Sequence, residues 1–178
     1  MIRLAFMLVA IVVTLPVHAF DIENISVAGV KLGMSREQVL SALTSTLRVE
    51  PNQVLLGPKL KCPITGRMLS KTMELQVGDL KYFVGFELDD PGIPNPHLVA
   101  SFITEESSYP RSIEQVSRRF GEPSDTSMVD ANGPVLWCNQ PIDNQCQWTS
   151  PLLSFDGKKL QLEDPRYLEK RQAALEKL

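Results

Sequence analysis

The side chains of this sequence best equipped for covalent, redox or metal chemistry are three cysteines, Cys62, Cys138 and Cys146, and one histidine, His97. Cys138 and Cys146 flank a polar stretch, Asn-Gln-Pro-Ile-Asp-Asn-Gln, short enough to let two neighbouring strands be stapled. Three cysteines allow three pairings. The local pair Cys138–Cys146 is the expected disulfide, and closing so small a loop contributes about 2.5 kcal/mol in the chain-entropy account. Cys62 is then the unpaired thiol, either buried and free or joined to another chain or a distant cysteine. Metal binding needs several thiolate, imidazole or carboxylate ligands at close spacing. No C-x-x-C occurs and His97 is the one histidine beyond residue 19, so neither metal nor cofactor is expected.

A serine or cysteine nucleophile requires an adjacent base. His97 stands in Pro-Asn-Pro-His without a G-x-S-x-G elbow, so a solvent-facing loop histidine is expected and no catalytic residue is assigned. Asp89-Asp90 and Glu163-Asp164 put carboxylates side by side, but each pair precedes a proline at a strand end. Asp164 moreover reads as a helix N-cap, and no EF-hand pattern surrounds either pair. The ten glycines are dispersed over turns and form no phosphate loop. An envelope hydrolase is therefore the least expected function, for lack of a catalytic constellation. The aromatic residues carry more information. Tyr82 and Phe86 share one side of a strand whose other side bears Phe83, and Trp137 and Trp148 bracket the cysteine pair. Such residues either fill a core or anchor a partner on an open sheet face, and Tyr82, Phe86, Trp137 and Trp148 are the candidate binding residues.

The elements that would position them begin after a leader. Arg3, an apolar run from Leu4 to Leu15, Pro16 and then Val17-His18-Ala19 compose a secretory signal peptide with cleavage after Ala19. Its apolar run is shorter than the roughly 20 residues that cross a bilayer core. The mature chain is thus expected in the periplasm or secreted, where cysteines oxidise. With no cysteine next to the cleavage site, no lipid anchor is expected. The remaining 159 residues hold 17 Lys and Arg against 21 Asp and Glu with the signs scattered, which leaves no basic stripe for nucleic acid.

Within them the chain repeats itself. Gly57-Pro-Lys-Leu-Lys-Cys62 returns as Gly133-Pro-Val-Leu-Trp-Cys138, and Ser35-Arg-Glu-Gln-Val39 returns as Ser112-Ile-Glu-Gln-Val116. The second pair is a capping box that starts a helix in each copy. The first helix runs through Val39, Leu40 and Leu43; the second runs through Val116 and Phe120 to Gly121. Gly78-Asp79 turns Met73–Val77 back onto Leu80–Val84, setting Leu75 opposite Tyr82 and Met73 opposite Val84. Asp156-Gly157 does the same between Leu152–Phe155 and Lys158–Leu162, setting Leu153 opposite Leu160. Initial strands are expected at Ile25–Val30 and Leu98–Thr104, and second strands near Gln53–Leu60 and Pro134–Cys138. A last amphipathic helix starts at Asp164-Pro165 and carries Leu168, Leu175 and Leu178. The expected class is α+β: two tandem units of strand, helix and strands, with helices packed on one face of an antiparallel sheet, plus a C-terminal helix. The units span residues 20–97 and 98–178, after the signal peptide at 1–19.

Gly29-Val-Lys-Leu-Gly-Met-Ser-Arg-Glu-Gln-Val39, together with Phe120-Gly-Glu-Pro123 behind the second helix, resembles the BamE/SmpA–OmlA group and the family of beta-lactamase inhibitor protein (BLIP). The resemblance covers about residues 25–165. It implies tandem α/β units forming a concave sheet, and an envelope-located binding module without catalysis. The function expected is binding of a protein partner in the cell envelope through a sheet face and the loops bearing Cys62 and Cys138. The alternative is an inhibitor or immunity protein against an envelope or secreted enzyme.

Overall fold

In the computed structural model, which describes residues 20–177, strands β4 (Thr72–Val77) and β5 (Leu80–Leu88) close around Gly78-Asp79 in the expected register, Val77 facing Leu80, Leu75 facing Tyr82 and Met73 facing Val84. Residues 1–19, read above as a signal peptide, lie outside the described ones. Around this hairpin grows an antiparallel sheet that also contains β1 (Leu55–Leu56), β6 (Leu98–Ser107), β7 (Val135–Trp137), β8 (Leu152–Phe155) and β9 (Lys159–Glu163), in the order β1-β4-β5-β6-β9-β8-β7. A separate ladder pairs β2 (Lys59–Lys61) with β3 (Met68–Ser70). Helices α1 (Arg36–Leu47), α2 (Ile113–Phe120) and the C-terminal α3 (Arg166–Leu175) complete an α+β architecture among the described residues.

Both capping boxes form. Ser35 Oγ accepts the Gln38 amide at 3.3 Å while Gln38 Oε1 accepts the Ser35 amide at 2.8 Å. Ser112 and Gln115 repeat the exchange at 3.3 and 3.0 Å. Each box satisfies two amides that a helix start leaves without intrahelical partners. Helix α1 then lays Val39 and Leu43 into the core, and α2 contributes Val116.

Across the sheet, period-two alternation lines up whole rows. Leu75, Tyr82, Glu105, Leu160, Phe155 and Val135 are successive cross-strand partners, as are Met73, Val84, Ile103, Leu162, Leu153 and Trp137. All of them are buried.

Glu105 is the exception in kind, a carboxylate at the centre of an apolar row and only 3% exposed. It is held by Arg111, just before α2, and by Arg119 in the last turn of α2, whose guanidinium reaches both carboxylate oxygens at 2.8 and 3.3 Å. Arg111 also donates to the Glu105 and Lys158 carbonyls, and its cationic carbon lies 5.4 Å from the Phe155 ring centroid.

Four expectations are corrected. Ile25–Val30 is not a strand. Ile22–Asn24 is a 3-10 turn, and Val27 bridges Val30 around Ala28-Gly29, both at positive φ. A side chain on Gly29 would meet Thr46 Oγ1 at 2.3 Å, so this turn is built against α1 and needs glycine. Gln53–Leu60 is divided: a 3-10 turn at Pro51–Gln53 is followed by β1 and then β2, with Pro58 offering no amide between the two strands. In the second hairpin Leu153 faces Leu162, and Phe155 faces Leu160. The Asp156 carboxylate captures the amides of Lys158 and Lys159, which moves the turn one residue on. Finally, α3 buries none of its side chains. Leu168 is exposed and Leu175 half-buried, while Leu178 is not among the described residues. The helix also starts one residue later than expected, at Arg166 with Pro165 at its N-cap, and Asp164 just before it accepts the Arg166 amide at 3.1 Å.

Removing one partner of a buried ion cluster leaves the others desolvated and unpaired. Glu105→Gln is accordingly expected to lower unfolding free energy by about 3 kcal/mol, read as a reduced urea midpoint with an unchanged slope. An unchanged midpoint would contradict the anchoring role.

Candidate interaction surface

The cysteine pair positions the most prominent loop. Cys138 and Cys146 are bonded with Cα atoms 5.9 Å apart, as expected. Their sulfurs pack with Leu136 and Leu152 in a small second core on the sheet's outer face. A buried carboxylate fixes the far side of the loop: Asp125 Oδ2 accepts the Cys146 amide at 2.9 Å and Oδ1 the Ser127 amide at 2.9 Å. Burial raises the Asp125 pKa, but these hydrogen bonds outweigh it and hold the carboxyl below its ordinary range. At the loop tip Asp143 and Asn144 turn the chain at positive φ, and Ile142 bridges Gln145. Ile142 and Trp148 project from this stapled frame into solvent, Trp148 with half its surface exposed.

The other three candidate binding residues are corrected. Tyr82, Phe86 and Trp137 are core residues on the helix-covered side and offer no surface to a partner. Burial, aided by the Glu105 charge, pushes the Tyr82 phenol up to about 12. Trp137 is fully enclosed and its indole N–H donates to the Gly121 carbonyl at 2.8 Å, tying the end of α2 to β7.

The aromatics that do reach the outer face are Phe83 and Phe102, stacked with centroids 5.7 Å apart. Phe102 lies over Gly85, where a Cβ would come within 2.0 Å of its ring, so the glycine makes the seat for the aromatic. Beside Phe102, the β6–β9 surface and the exposed Leu168 of α3 border a groove of about 340 Å³ whose rim carries Glu87, Gln161 and Glu163. Glu87 is held by Lys71 at 2.6 Å and by Arg171 at 3.3 Å.

The remaining residues singled out for chemistry are dispersed. His97 is exposed, and its backbone amide donates to Asp89 at 2.9 Å. Asp164 pairs with Arg166 at 2.8 Å. Cys62 is a buried free thiol in the turn that joins β2 to β3. Burial raises its pKa, yet hydrogen bonding by Thr65 and Ile64 and the charge of Lys71 bring it below the usual thiol value. Among the described residues, no group of three or more His, Cys, Asp and Glu side chains could hold a metal ion.

The Glu105–Arg111–Arg119 cluster escaped sequence reading. Its one signal was a glutamate in an otherwise strand-like run, at a position where alternation assigns the residue inward. Burial raises its pKa, but the hydrogen bonds and charges of Arg119 and Arg111 prevail and lower it.

Fold and surface together define a class: an α+β protein with one broad antiparallel sheet, helices α1 and α2 against one face, and on the other the C-terminal helix α3 and a disulfide-stapled loop that presents Trp148 and Ile142. Comparison with protein-family models, with curated proteins and with solved structures found no match. No helix among the described residues is long and apolar enough to cross a membrane. The bonded cysteine pair fits an oxidising compartment.

With Trp148 replaced by phenylalanine, the remaining Trp137 is expected to emit at short wavelength and to resist acrylamide quenching. Trp137→Phe should leave a red-shifted, readily quenched Trp148. Ellman's reagent should find no thiol in the native chain and one, Cys62, in denaturant. Glu105 and Asp125 both bind protons more weakly in the fold than in the unfolded chain. Their stabilisation is therefore complete above the ordinary carboxylate range near ~4 and is lost as pH falls through it toward the folded values. Urea midpoints measured against pH should be level near neutrality and decline in acid, less steeply in Asp125→Asn.

Proposed function

We propose that the chain is a non-catalytic protein-binding module of the periplasm, exported by its signal peptide and using the outer sheet face and the loop closed by Cys138–Cys146. The observation that carries this reading is the presentation of Trp148 and Ile142. Large apolar side chains stand in solvent on a loop held by a disulfide and by Asp125, so little ordering entropy is lost when they dock. Tryptophan in such a position is a frequent hot spot. Phe83, Phe102 and Leu168 form a further apolar area on the outer side of the sheet.

Descent from a duplicated unit, of the BamE- and BLIP-like kind the sequence resembles, belongs to the same proposal. It is supported by two intact capping boxes and by meanders β1-β4-β5 and β7-β8-β9 on either side of β6. In both copies of the repeated hexapeptide a strand starts directly after the proline. Inhibition of an enzyme is the second reading, favoured by the narrow hairpin Ile142–Gln145 at the loop tip, a shape that enters concave sites.

The test uses the mature chain with photoreactive benzoylphenylalanine in place of Gln147, irradiated in an envelope extract from its source. A discrete protein adduct, diminished by Trp148→Ala, is expected. Adducts to lipid alone would refute the reading, as would a hydrolytic activity that disappears in His97→Ala.

A further inference from the structure

Away from that loop, the opposite end of the sheet carries a second unexplained surface. Leu55 faces Glu74 and Leu56 faces Met73; the Gly57 amide donates to the Thr72 carbonyl; Lys59, Leu60 and Lys61 face Ser70, Leu69 and Met68; the Cys62 amide donates to the Arg67 carbonyl. The register is unbroken. Strands β1 to β4 are thus one two-stranded arm, interrupted at Pro58 and closed by the turn that holds Cys62.

Two properties separate the arm from the rest of the molecule. Leu55, Leu56, Leu60 and Met68 are each more than half exposed, from 55% at Leu56 to 67% at Leu60, although they sit within one short ladder. Clustered exposure of this kind marks a binding surface, whereas scattered single leucines do not. Charge is also segregated. From Pro51 to Met73 the sequence has no Asp or Glu, although the full chain has a net charge of −3, and it carries Lys59, Lys61, Arg67 and Lys71. Lys71 is paired with Glu87, while Lys59, Lys61 and Arg67 have no carboxylate at ion-pair distance among the described residues.

We infer that the outer edge of this arm docks a short extended segment of a partner protein in which carboxylates flank large apolar side chains. The inference rests on the protein-binding reading and adds to it a second contact region and the chemistry of its occupant. Strand β1 ends the sheet with one neighbour, so the backbone groups on its outer side are open to pairing with an added strand. The three free cations select acidic flanks, and the leucines take the apolar side chains between them. An anionic membrane surface fits less well. Interfacial elements use Trp, Tyr and Phe as anchors, and no aromatic residue lies between Glu50 and Lys81.

The experiment pans a random linear peptide library on the mature chain and measures the recovered peptides against three variants: Lys59→Glu with Lys61→Glu, Leu60→Ser, and Trp148→Ala. The substituted arm residues are exposed, and urea midpoints verify that each variant folds. Expected are peptides with Asp or Glu beside Leu, Ile, Val or Phe. Their affinity should fall about tenfold with charge reversal, as two lost surface ion pairs imply, fall with Leu60→Ser and with added salt, and stay unchanged with Trp148→Ala. Recovery of peptides that Trp148→Ala weakens and the arm variants do not would overturn the inference while leaving the loop reading intact. Failure to recover any peptide overturns it as well. So would arm-dependent binding to phosphatidylglycerol vesicles in place of peptides, or an arm-dependent dimer of the chain itself.

Discussion

A carboxylate cannot stay ionised inside an apolar sheet face unless cations come to it, and the side of the molecule built from residues 98–163 is organised by that requirement. Glu105 sits on the central strand between Tyr82 and Leu160. Its two arginines bracket α2, one before the N-cap and one in the last turn, so satisfying the charge fixes both ends of the helix. Arg111 continues outward to the carbonyl of Lys158, where β8 turns into β9, and Trp137 secures the other end of α2 by its bond to Gly121. Helix, turn and β7 thereby share one polar framework over an apolar floor. At the other end of the sheet α1 is seated by Val39 and Leu43 against the same apolar cluster, with no ion cluster of this kind among the described residues.

What could be read from the sequence was decided by short-range rules. The capping boxes form because Ser and Gln three residues apart can bond each other's backbone with no help from elsewhere. The β4–β5 register follows from a two-residue turn and alternation, and the Cys138–Cys146 bond from nearness along the chain. The β8–β9 register was misread because Asp156 competes for turn amides through its side chain, an option that alternation does not weigh. The Ala28-Gly29 turn is not legible because alanine is an uncommon residue at positive φ, and the close approach of Thr46 that excludes a side chain at Gly29 is a tertiary contact.

Facing was the harder problem for the candidate site. An aromatic strand such as Lys81–Glu87 offers two sides, and which one is buried depends on where helices land, a tertiary fact. The helices cover Tyr82 and Phe86, which leaves Phe83 with Phe102 to the outer side. In β7 the alternation itself fails, since Val135, Leu136 and Trp137 are all buried: helices cover one side and the stapled loop the other. Sequence could name Trp148 as a binding candidate, but only the loop's own geometry separates it from Trp137.

The place of β6 has a consequence for assembly during synthesis. Its first partner, β5, precedes it in the chain, whereas its second, β9, is more than fifty residues downstream. Gly33–Ser35, earlier in the chain, already pair with Val99 and Ala100, but until β9 emerges the stretch from Phe102 to Glu106 has an open edge, the kind of template on which chains aggregate. Glu105 lies on that strand before Arg111 and Arg119 have been added. A charge that the finished fold must neutralise thus serves the unfinished one as a gatekeeper against wrong pairing.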